Sequence, residues 1–212
     1  MVGVATIGCA APGGRVGADA WVSRHGGLCD FEHTRVASVV TRLIGSSSAE
    51  PSRSIRVDIL DADELAAYAW PGARVVVTRG LVAATRGDDA ALAAAIAHEL
   101  GHLIADGHLP NPPAALRGWS ADEPDVESRA DLVGRELLAI HGFDPDGMRR
   151  LLVRLRTAHG GASARNGAHL DRRVARLAPR AASADEPEPV QPRKSPREPL
   201  VLRTTTEVRP LG

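Results

Sequence analysis

From Ala90 to Ala105 most positions are alanine, leucine or isoleucine, yet His98, Glu99 and His102 sit inside the run. An acidic start, an alanine-rich body and a glycine at the end predict a helix over residues 88–107. Leu92, Ala93, Ala94, Ala95, Ile96, Ala97, Leu100, Leu103, Ile104 and Ala105 make it apolar on most sides, so it must be buried. An unpaired carboxylate and two imidazoles in a core cost several kcal/mol. Coordination of a divalent cation removes that cost. His98 and His102 are four residues apart, one turn above the other on one face. Their rings can converge on one zinc ion, with bonds to nitrogen of about 2.0–2.1 Å. Glu99 lies to the side of that point, placed to take a proton from a water at the metal. This is the HExxH pattern.

Composition narrows the surroundings. The apolar fraction of 43% supports a real core, and aromatics at 3% make it aliphatic. The formal net charge is zero and no basic stripe is visible, which excludes nucleic acid as a natural partner. No apolar run approaches the ~20 residues of a membrane span. The apolar start "MVGVATIGCAAPGG" resembles the stump of a secretion signal with Cys9 as a lipid acceptor, although Thr6 fits that pattern poorly. Cell envelope, export and cytoplasm therefore all stay open. Cys9 and Cys29 are compatible with one disulfide or with two thiols.

The glycine-rich residues 1–29 are expected to be a flexible segment. Residues 30–45 read as a helix with Val36, Val39, Val40 and Leu43 on one face. Residues 54–60 alternate as a strand does. Residues 67–80 read as two extended pieces around a Pro71-Gly72 turn, with "RVVVT" the stronger. A proline-rich loop over 109–121 follows the histidine-bearing helix. Further helices are expected over 125–142, over 144–158 with Met148, Leu151, Leu152 and Leu155 inward, and over 168–178. Proline, charge and serine then mark 179–212 as a disordered tail. The folded domain is thus 30–178.

Two residues compete to be the third ligand. His108 completes a HExxHxxGxxH spacing, but Ala105 stands where that pattern turns on glycine, and no suitable methionine turn follows. Glu127 lies 25 residues beyond His102 on a separate predicted helix, the layout of the two-histidine, one-glutamate peptidases. Asp131, one turn after Glu127, can accept the outer N–H of a ligand histidine and fix its tautomer.

"HELGH" followed by "ESRAD" resembles the HExxH and ExxAD motifs of the gluzincin peptidases of the HtpX, BepA and CAAX prenyl protease type (peptidase family M48). "AYAWPGARVVVTRGL", "GFDP" and "RVARL" are similar to further segments of that family. Ala66 stands where the family has asparagine, and Ala73 where it has its second turn glycine. The resemblance implies an α+β, zincin-like fold, mostly helical with a small sheet beside the metal-binding helix. It implies one Zn2+ per chain on His98, His102 and Glu127, Glu99 as the base, and polypeptide substrates. His169 and Arg173 correspond to residues on the substrate side, where they would steady an oxyanion. The strand Arg74, Val75, Val76, Val77 and Thr78 is expected to be the edge to which an extended peptide adds. The expected activity is zinc-dependent endopeptidase cleavage suited to quality control of unfolded chains. The competing readings are a metzincin-type protease using His108 and a non-catalytic, zinc-stabilised binding module.

Overall fold

The computed structural model describes residues 17–44, 55–105, 125–158 and 164–178. The expectations for Cys9, for His108, for the loop over 109–121 and for the tail over 179–212 lie outside the described residues. The architecture is α+β, mostly helical with a three-stranded sheet. The helices are α1 (Ala18–Arg24), α2 (His33–Ile44), α3 (Arg79–Ala84), α4 (Asp89–Ala105), α5 (Val126–Ile140), α6 (Gly147–Ala158) and α7 (Ala164–Arg176). The strands are β1 (Arg56–Leu60), β2 (Ala67–Trp70) and β3 (Arg74–Thr78).

The apolar stripes read from the sequence are the ones that face inward. Val36, Val39, Val40 and Leu43 of α2 are buried, as are Met148, Leu151, Leu152 and Leu155 of α6. In α4 every residue from Ala91 to Leu103 is buried, so this helix is the axis about which the others pack. The alternation of β1 sorts its side chains between two cores. Val57 and Ile59 join α2 and α4 in the larger one, while Leu60 meets Trp21, Trp70 and Val76 in a smaller one under α1.

Three expectations change. Strand β3 is not an edge: the order is β1-β3-β2, with β1 parallel and β2 antiparallel to it. All five residues from Arg74 to Thr78 are buried, and Arg74 is spent on Asp58 and Asp19, 2.7 Å from each. A strand hydrogen-bonded on both sides has no main-chain groups left for a peptide. Among the described residues the open edge belongs to β2, because the outer side of β1 is partly covered by a bridge from Leu28 to Leu60 and a Cys29 N–H to Ile59 bond. Thr78 N–H donates to the Ala66 carbonyl. By the alternation of antiparallel ladders, the main-chain groups of Ala67 and Ala69 then face outward.

Residues 18–24 are also not a loop, since α1 lays Trp21 and Val22 against the sheet. The short α3, capped by the Thr78 side chain, went unread because six residues give too little periodicity. In the hairpin between β2 and β3, Ala73 has φ of 61°, in the left-handed region. There glycine would be less strained than alanine.

Candidate metal centre

Helices α4 and α5 bring the predicted residues together, and two glycines set how closely the helices cross. A Cβ at Gly101, one residue before His102, would lie 2.9 Å from the Ala130 carbonyl oxygen. A Cβ at Gly134 would lie 3.1 Å from the backbone of Ala97 and His98 and 2.6 Å from Cε of Met148. Glycine inside a helix costs about 0.5–1 kcal/mol relative to alanine. Here that cost accompanies a backbone-to-backbone approach that no larger residue permits.

The approach places the Glu127 carboxylate against both imidazoles. His98 Nε2 is 3.1 Å from His102 Nε2 and 3.3 Å from Glu127 Oε2, and His102 Nε2 is 3.7 Å from Glu127 Oε1. Ligands at about 2.0–2.1 Å from a tetrahedral zinc stand roughly 3.3 Å apart, so the three side chains fit that ion. Among the described residues this is the one group of histidine, cysteine or acidic residues with metal-binding geometry.

The electrostatics favour a cation at the same point. Asp131 lies 2.8 Å from Nδ1 of His98, which therefore donates its proton there and turns the Nε2 lone pair toward Glu127 and His102. Burial disfavours a charged His98, but Asp131 and Glu127 outweigh it and raise the imidazole to about 9. A field that attracts a proton there also attracts a metal cation. Burial and the neighbouring His98 push His102 down to about 4, which leaves it neutral and able to ligate.

Glu99 is 2% exposed, and its Oε1 has no hydrogen-bond partner among the described residues. Burial, aided by the charge of Glu127, raises its carboxyl to about 7, against the pull of His98 and Arg173. A carboxylate so placed can take up and release a proton near neutrality.

Arg173 is not on the substrate side. It is 2% exposed and grips Asp131 through Nε and Nη2, at 2.7 Å each, while Nη1 lies 3.3 Å from Glu127 Oε2. Its guanidinium is engaged by the two carboxylates, Asp131 and Glu127. Burial pushes the Asp131 carboxyl up, but Arg173 and His98 overcome this and hold it below the ordinary carboxylate range. His169 stands one turn before Arg173, half-buried, near Asp125, the N-cap of α5. Neither Gly101 nor Gly134 is a fixed residue of a motif that names a ligand. The cue was two mid-helix glycines, one on each motif-bearing helix.

The model of peptidase family M48 matches residues 30–111, which include the HExxH motif. This match supports assignment of the chain to peptidase family M48. That family implies zinc metallopeptidase activity and polypeptide substrates. The matched segment ends before Glu127, so the third corner of the M48 site rests on the geometry above. No curated protein matches the chain. No described helix is long and apolar enough to cross a membrane.

Proposed function

We propose that the chain is a zinc-dependent endopeptidase that cleaves extended segments of unfolded polypeptide, with a role in protein quality control. The observation that carries this reading is the convergence of Glu127, from a later helix, on His98 and His102 beside the buried carboxylate of Glu99. His98, His102 and Glu127 would hold the metal. When bound, zinc supplies a Lewis acid that acidifies a water and polarises a carbonyl. Glu99 accepts the proton of the attacking water. Its raised affinity for that proton suits it to pass the proton on to the leaving amine. Asp131 keeps His98 in the ligating tautomer, and Arg173 keeps Asp131 ionised and in place.

The substrate lies as a further strand along the outer side of β2, bonded through the main chain of Ala67 and Ala69. Recognition through the main chain tolerates many sequences, which suits unfolded chains. His169, on the rim near Asp125, remains the side chain proposed to touch the substrate.

Casein hydrolysis by the zinc-loaded protein and by Glu99→Gln tests the reading. Wild type should cleave, and the variant should bind zinc equally while losing about 100-fold or more of the rate. Zinc binding without cleavage by wild type would leave a metal-stabilised binding module instead.

A further inference from the structure

We propose that Glu64 and Tyr68 form an acidic subsite on the β2 edge that selects a substrate residue with a basic side chain. The inference rests on the peptidase reading and on β2 as the strand to which the peptide adds. A strand paired with β2 places alternate side chains on the face that carries Tyr68. Tyr68 is half-buried and fixed by its neighbours. Its ring centre lies 4.8 Å from that of Trp21 and 6.1 Å from that of Trp70. The phenol therefore has a set direction, and its O–H donates to Glu64 Oε1 at 3.0 Å.

Glu64 is half-exposed, and no arginine, histidine or lysine lies within salt-bridge distance of it among the described residues. Most acidic residues around it are neutralised: Asp61 and Asp63 pair with Arg79, and Asp58 with Arg74. The Tyr68 phenol is held well above its usual range, first by burial and then by the charge and hydrogen bond of Glu64. The Glu64 carboxylate thus stands at a fixed point of the β2 edge. A guanidinium or ammonium there gains an ion pair with Glu64 and the face of a tyrosine ring.

The test uses the full-length, zinc-loaded protein and N-acetylated peptides that carry arginine, lysine, glutamine or glutamate at each position around one cleavable bond. Acetylation removes the terminal ammonium as a rival cation. Wild type should prefer a basic residue at one position, by about three- to tenfold in kcat/KM expressed mainly in KM, and the preference should shrink as salt is raised. In Glu64→Gln the ratio of basic to neutral kcat/KM should fall toward one, and in Glu64→Lys it should invert toward glutamate. Tyr68→Phe should lower the ratio by loosening Glu64. A flat wild-type profile, or a ratio that survives Glu64→Gln, overturns the proposal while leaving the peptidase reading intact. A wild type that cleaves no peptide overturns both.

Discussion

Arg173 and Asp131 form a two-pronged ion pair, 2.7 Å on each prong, with both side chains 2% exposed. Asp131 in turn receives the Nδ1 proton of His98. A residue on α7 therefore fixes the tautomer of a histidine on α4 through a carboxylate on α5.

Removing the guanidinium leaves Asp131 as a buried, uncompensated charge. Arg173→Met should cost roughly 3 kcal/mol or more of folding stability. In whatever fraction remains folded, zinc affinity should drop about 10- to 100-fold, as expected when the partner that orients a ligand is lost. Arg173→Lys keeps the charge but not the fork, so it should retain more stability than affinity. Thermal unfolding and chelator competition separate the two effects.

The glycine contacts predict a graded result. Gly101→Ala meets the Ala130 carbonyl, and Gly134→Ala meets the backbone at Ala97 and His98 as well as the flexible end of Met148. Both push α5 away from α4 at the level of the ligands, so zinc affinity should fall about tenfold or more. Gly147→Ala, which meets Ala90 at the far end of α4, should lower the melting temperature with zinc affinity unchanged. Equal affinity in all three variants would show that the crossing distance does not set the site.

Asp88 joins the start of α4 to α6. It accepts from the Ala91 N–H and from Arg150 at 2.9 and 3.1 Å, with Arg154 at 2.8 Å. Hydrogen bonds from Arg150 lower its carboxyl from the ordinary value to about 2, against burial. A depressed folded-state value stabilises the fold above the unfolded value near 4, and that contribution is lost as pH falls toward 2. Asp88→Asn, which retains an N-cap, should therefore cost about 1–2 kcal/mol at pH 7 and almost nothing at pH 2. Denaturant unfolding at both pH values measures this.

Much of the fold was legible because local periodicity decides it. Stripes such as Val36, Val39, Val40 and Leu43 could face only one way. Strand order is a non-local property, and there the edge assignment failed. A cue was nonetheless present: "RVVVT" is a continuous apolar run, as a strand buried on both faces requires, while Tyr68 interrupts β2 with a half-exposed side chain. Among the site residues, His98, Glu99 and His102 follow from spacing within one helix. Arg173 was noticed through its family motif, yet its burial behind Asp131 depends on how α7 packs, which no local pattern encodes.

Zinc content after dialysis measures the central claim most directly, in wild type, Glu127→Ala and His108→Ala prepared side by side. The account predicts one zinc per chain in wild type and His108→Ala, and an emptied site in Glu127→Ala. Zinc retained by Glu127→Ala and lost from His108→Ala would contradict it.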